Sequence, residues 1–193
     1  MDGFRSVTRR RILGAGLALS ALASARLAFA QTAACTPGTL TPHLTEGPFF
    51  KPDSPERSVL VEPGIPGSQI VLTGLVLDSA CRPVKGALVD LWHADGQGRY
   101  DNAGYRLRGH QYTDADGRYR FETVEPAPYV GRTRHFHVKV QPPGGSVLTT
   151  QLYFPGEPGN ARDNLFRKEL LMALRRDGSA AAAGRYDFIV TTA

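Results

Sequence analysis

From residue 70 onward, apolar and polar positions alternate in short runs broken by turn residues. Residues 70–77 form an apolar run that ends in a polar turn at 78–83, and residues 87–92 form the next one. Residues 110–113 lead into Asp114-Ala115-Asp116-Gly117, a strong turn signal. Residues 118–124 and 134–140 alternate with period two, as half-buried strands do. Between them Pro126-Ala127-Pro128 makes a rigid corner, and the second run stops at Pro142-Pro143-Gly144-Gly145. Residues 147–154 and 186–190 read as further strands. One stretch, 160–176, predicts a helix: Leu165, Leu170 and Leu174 fall near one face, Asn160 stands where a cap belongs, and Arg175-Arg176 suit the C-terminal end. The Ala-rich stretch after it reads as a loop. The pattern predicts an all-β chain, a β-sandwich or related barrel of about seven to nine short strands with one short helix in its C-terminal region.

Upstream the periodicity fades. Residues 31–68 carry seven prolines and read as an extended arm wrapped over the core, which leaves residues 69–193 as the sandwich. Residues 1–30 have another pattern: Arg9-Arg10-Arg11, then an apolar Ala/Gly/Leu-rich run, then Ala28-Phe29-Ala30. A charged start, a short apolar middle and a small-residue cleavage site are the parts of a signal peptide. The paired arginines resemble a twin-arginine signal, which predicts a periplasmic or secreted protein. A membrane anchor fits less well, because the run is short and Arg26 interrupts it.

This segment changes the meaning of the charge. The chain of 193 residues has a formal charge of +5, which invites a nucleic-acid partner. Removing residues 1–30 takes away Arg5, Arg9, Arg10, Arg11 and Arg26 with only Asp2, leaving a net charge near +1. The excess therefore speaks for destination, and no nucleic-acid partner and no stable membrane span are expected. Both cysteines survive cleavage. An oxidising compartment makes Cys35 and Cys81 a candidate disulfide, with two buried thiols or a lipidated Cys35 as the alternatives.

His135 and His137 are the sharpest local feature. At i and i+2 on a strand their side chains share a face, so two imidazoles can converge on a metal. The pair alone is weak, and no carboxylate lies close by in sequence to complete a two-His-one-carboxylate site. Tyr129 lies just after the proline corner, and Tyr100 closes Gly96-Gln97-Gly98-Arg99-Tyr100. Phenolate is a hard anionic donor suited to Fe(III), although an isolated tyrosine is more often a core aromatic. His93 reads as structural, Trp92 as a core aromatic, Asp114 and Asp116 as turn residues, and the charges in 162–177 as a solvated face. His110 and His43 are left open as pocket-mouth residues, and Arg134 as a cation for a carboxylated ring.

Several segments resemble the intradiol ring-cleavage dioxygenases: Thr45-Glu46-Gly47-Pro48-Phe49-Phe50, residues 86–95, Gly98-Arg99-Tyr100, residues 116–121, Pro126-Ala127-Pro128-Tyr129, Arg132 before His135-Phe136-His137, and residues 150–154. They run in order over residues 41–156. The resemblance implies a non-haem Fe(III) cofactor held by Tyr100, Tyr129, His135 and His137. It implies Tyr129 as a base toward the substrate, and Arg132 and Gln151 as groups that stabilise developing charge. The implied partners are a small aromatic diol and O2, with ring cleavage between the hydroxyl-bearing carbons to a cis,cis-muconate; association into a homo-oligomer stays open. The chain departs from the family in a short 130–134 stretch, in Thr133 where a proline is usual, and in lacking a long N-terminal helical segment. A non-enzymatic transthyretin-like sandwich and a zinc or copper HxH protein are the competing readings.

Overall fold

The computed structural model describes Met1, residues 35–178 and residues 181–193. The expected signal peptide at 1–30 lies outside the described residues. Among the described residues nine strands form: β1 (Gln69–Asp78), β2 (Leu88–Trp92), β3 (Arg108–Tyr112), β4 (Arg118–Val124), β5 (His135–Gln141), β6 (Leu148–Tyr153), β7 (Ala173–Arg175), β8 (Ala182–Arg185) and β9 (Phe188–Val190). They build two sheets. One runs β4-β1-β8-β7, with β9 pairing farther along β1; the other runs β3-β2-β5-β6. The architecture is the expected β-sandwich.

Period-two alternation explains both faces of the second sheet. Val89 and Leu91 of β2, Phe136, Val138 and Val140 of β5, and Leu152 of β6 are buried in the apolar core with Ile70, Leu72, Phe121 and Phe188 of the other sheet. Their neighbours along each strand must point the other way. Register then aligns Trp92 with His137 and Gln151, and Asp90 with Lys139 and His110. This outward face is rich in polar groups, which need partners when covered.

The proline-rich arm supplies the cover. It enters beside β6, where Leu44 N donates to Thr149 O at 2.8 Å. It leaves beyond β3, where Arg57 N donates to His110 O and His110 N to Pro55 O. Between these points Glu46 pairs with Lys139 at 2.7 Å, the Lys139 ammonium lies 3.4 Å from the Phe50 ring centroid, and Ser54 donates to Asp90. The arm's start is held by the Cys35–Cys81 disulfide, the pairing expected from the sequence.

The C-terminal region differs from the sequence reading. Residues 160–176 are not one helix but two short 3-10 turns, Pro158–Arg162 and Lys168–Leu170, followed by β7. The cause is tertiary. Asp163 takes the backbone N–H of Leu165 on its carboxylate and ends the first turn, while Met172 N donates to Tyr153 O. The Ala-rich stretch, read as a loop, contains β8, which lies between β1 and β7.

Candidate metal centre

Each candidate residue is placed by a short-range device. His135 and His137 point outward from β5 because Phe136 and Val138 point inward. Tyr129 and Arg132 close a tight turn between β4 and β5, with Arg132 N donating to Tyr129 O at 2.7 Å. Tyr100 ends the loop after β2, and that loop sits tightly on the proline corner: a Cβ at Gly98, where φ is +77°, would come 2.6 Å from Pro128 O. Only glycine allows this approach, which brings the Tyr100 loop against the Tyr129 segment. Gln151 faces outward on β6, opposite His137.

The structure brings the four proposed ligands together. Ring centroids lie 4.7 Å apart for His135 and His137, 5.7 Å for Tyr129 and His135, 5.3 Å for Tyr100 and Tyr129, and 6.2 Å for Tyr100 and His137. The two histidine Nε2 atoms are 3.1 Å apart. His135 Nδ1 lies 2.6 Å from Thr133 O, and a carbonyl only accepts, so the proton is on Nδ1 and Nε2 turns a lone pair to the centre. Burial, then the Arg132 charge, depresses the His135 pKa to about 4; burial and neighbouring His135 depress that of His137 well below 6.5. Both imidazoles are neutral at pH 7, as metal ligands must be.

Among the described residues, the Tyr100 hydroxyl and His137 Nδ1 are buried with no hydrogen-bond partner. Burial, with Tyr129 beside it, pushes the Tyr100 pKa well above its ordinary value. A multivalent cation reverses that balance by favouring phenolate. Among the described residues no three His, Cys, Asp or Glu side chains gather, so a carboxylate-completed triad is absent and a metal set here has to use phenols. Two phenolates and two neutral imidazoles suit a hard trivalent ion, and Fe(III) fits this donor set.

Arg132 sits beside the cluster. Its Nη2 donates to Gln151 Oε1 at 2.5 Å and to Tyr153 OH at 3.3 Å, while Nε donates to Asp163 at 2.8 Å. Burial pulls its pKa down, but the Asp163 hydrogen bond and charge outweigh this and the net direction is up. Gln151 takes a second hydrogen bond from Tyr153 OH and gives one from Nε2 to Thr45 O.

Other expectations resolve as follows. His93 is structural: it is buried between Ala94 O and Thr123 Oγ1, both at 2.7 Å. Asp114 caps its turn by accepting from Asp116 N and Arg118 N. His110 is held by Ser54, and His43 is exposed near Leu40 and Val147; neither touches the four. Arg134 does not face the cluster but pairs with Glu125 and Glu157. Trp92 is buried, yet on the polar face rather than in the core, stacked on His137 with centroids 5.1 Å apart.

Sequence reasoning missed Phe49, Tyr153 and Asp163. Phe49 stacks on Tyr100 at 4.4 Å and meets Tyr129 edge-on at 5.8 Å, closing the cluster from the arm. Its signal was the Thr45–Phe50 motif in a segment otherwise without pattern. Asp163 was read as part of a solvated helix face but is buried.

A family model described as dioxygenase matches residues 45–192. The beta chain of protocatechuate 3,4-dioxygenase from Burkholderia cepacia is 38% identical over 52% of this chain and 51% of its own length. Catechol 1,2-dioxygenase 2 from Acinetobacter lwoffii is 31% identical over 76% of this chain and 62% of its own. The chain thus spans about half to two thirds of these curated relatives. Among solved structures, the dioxygenase domain of a dioxygenase carbohydrate-binding protein fusion from Streptomyces sp. SirexAA-E is 50% identical, with a TM-score of 0.77 over 80% of this chain and all of that one.

Proposed function

This chain belongs to the intradiol dioxygenase family, and on that premise we propose that it is an exported, non-haem Fe(III) enzyme that cleaves a catechol-type ring between its two hydroxyl-bearing carbons. The observation that carries the reading is the convergence of Tyr100, Tyr129, His135 and His137 on one buried point, with both imidazoles neutral and Arg132 alongside. These four side chains would hold the ferric ion. When bound, the ion would supply Lewis-acid chemistry that lowers the pKa of the catechol hydroxyls and activates the ring toward O2.

The chain's own groups do the rest. The Tyr129 phenolate oxygen would be the base for a catechol proton and become the neutral phenol: it stands on a turn at the edge of the cluster, met edge-on by Phe49, while Tyr100 is stacked face-on under the same ring. Thr133 O holds the His135 ring in one tautomer, and Trp92 holds the plane of His137. Arg132 Nη1 makes no hydrogen bond to the described residues, and so remains a donor for negative charge that develops on the ring and the incoming oxygen. Phe49 covers the two tyrosine rings and Trp92 the ring of His137. The net change is catechol plus O2 to cis,cis-muconate, with both oxygen atoms in the product.

Export is supported by the twin-arginine-like N-terminus and by the Cys35–Cys81 disulfide, which suits an oxidising compartment. The competing transthyretin-like module is disfavoured, since a module without chemistry has no use for two buried groups that find no partner among the described residues beside a half-buried arginine. Oxygen uptake by iron-loaded protein with catechol, protocatechuate and hydroxyquinol, followed with product spectra, tests the reading. One O2 consumed per muconate formed is expected, and no uptake with any of the three overturns it.

A further inference from the structure

Asp163 makes three contacts that no surface carboxylate would need. Its side chain is 1% exposed. Oδ2 accepts from Arg132 Nε at 2.8 Å and from Thr133 N at 3.0 Å, while Oδ1 accepts from Leu165 N at 2.9 Å. A buried carboxylate with all these donors is rigid and ionised, because losing any of them would leave a charge buried without compensation. The same turn adds a second clamp: Thr133 Oγ1 donates to Asn160 Oδ1, and Asn160 Nδ2 donates to Phe154 O. Residues 132 and 133 are therefore held from outside the sheet by the turn at 158–163.

What this fixes matters. An arginine whose Nε and Nη2 are both committed has a fixed guanidinium plane, and the one tine left over points in one direction. Thr133, held through its N–H by the same oxygen, carries the carbonyl that sets the His135 tautomer. One carboxylate thus reaches the charge-stabilising arginine directly, while Thr133 has a second anchor in Asn160 that keeps its carbonyl on His135 when Asp163 loses its charge.

We propose that Asp163 is the positioning residue for Arg132, aiming its Nη1 donor at the reacting ring. The inference rests on the proposed function, since it takes Arg132 as the group that meets developing charge. Asp163→Asn keeps the shape and removes one acceptor and the negative charge. Misplacing a catalytic group by about 1 Å can cost about 100-fold in rate.

The test combines kinetics with a readout that needs no turnover. In iron-loaded Asp163→Asn, kcat on catechol is expected to fall about 100-fold with KM within about threefold, while iron content and tyrosinate colour stay at parent values. In an Arg132→Gln background, Asp163→Asn is expected to lower kcat by no more than about twofold further, because the two act as one unit. In 1H–15N spectra of the metal-free full chain, the Arg132 Nε–H is expected as a slowly exchanging resonance, assigned by its loss in Arg132→Lys and lost in Asp163→Asn. Unchanged kcat, loss of iron or multiplicative effects would overturn the proposal. If Asp163→Asn does not fold, Arg132→Lys carries the test: it keeps a cation opposite Asp163 without the Nε–H, and parent-like kcat there overturns it. If the parent itself consumes no O2, the functional reading falls, and persistence of the Arg132 resonance in Asp163→Asn is what counts against positioning.

Discussion

Gly47 lies directly against the ring of His137: a Cβ built on it would stand 3.1 Å from Cε1, and its φ is +71°. The arm therefore touches a proposed ligand at a residue that has no side chain. Trp92 stacks on the same ring within 9° of parallel. His137 is held in a slot between strand and arm.

Gly47→Ala closes that slot. The left-handed backbone alone costs an alanine about 1–2 kcal/mol, and the methyl must push His137 or the arm aside. We expect a lower melting temperature and about a tenfold weaker hold on iron, read by titrating metal-free protein with ferric ion. An unchanged titration would show that the contact relaxes without moving the ring.

Part of the acid sensitivity follows from His93, with buried His135 and His137 adding to it in the metal-free chain. Burial lowers the His93 pKa from 6.5 to about 4, so between those values the unfolded chain binds a proton that the folded chain refuses. Stability is complete above pH 6.5 and falls as the pH drops toward 4, by about 3 kcal/mol from this group. Urea unfolding at steps between pH 7 and 4.5 should show that fall, and His93→Gln should flatten the slope. Parallel slopes for the two proteins would mean that the acid loss arises elsewhere.

The disulfide should matter for stability and little for chemistry. It joins residues 46 apart and ties the arm's start to the turn after β1, where none of the cluster residues lies. The loop-entropy argument gives about 4 kcal/mol. Reduction should lower the thermal midpoint by several degrees while kcat on catechol stays within about twofold at 25 °C. A collapse of kcat at temperatures where the reduced protein is still folded would contradict this.

Arg134 is the nearest cation in sequence to the histidines, yet its guanidinium is committed to Glu125 and Glu157. Arg134→Gln should leave the ratio of kcat/KM for protocatechuate and catechol unchanged within about twofold, although stability drops because Glu125 then relies on Arg176 alone. A selective loss on protocatechuate would place Arg134 in the substrate pocket.

Much of this was legible in the chain, and the reasons are physical. Strand alternation in 118–124 and 134–140 comes from one wet or polar face and one core face, so the sandwich and the shared face of His135 and His137 follow from period two. Tyr100 and Tyr129 could be singled out only through their motifs, because a phenol has no spacing rule of its own. The 160–176 stretch misled. Its leucines recur at helical spacing, but Asp163 turns its carboxylate on Leu165 N and Arg132, and Ala173–Arg175 pairs with β8. Non-local hydrogen bonds overrode a local period, and the buried role of Asp163 was hidden with them. Trp92 was placed in the core because large aromatics usually belong there; alternation with Leu91 puts it on the opposite face, under His137.

The central claim is that two tyrosines and two histidines hold one ferric ion. Its most direct measurement is the visible spectrum of the purified chain titrated with Fe(III), alongside Tyr100→Phe, Tyr129→Phe and His137→Ala. The account predicts one iron per chain and a phenolate-to-iron absorption band that weakens in each tyrosine variant and disappears with the iron in the histidine variant. A protein that stays colourless after saturation with ferric iron, or a band untouched by both tyrosine variants, would contradict it.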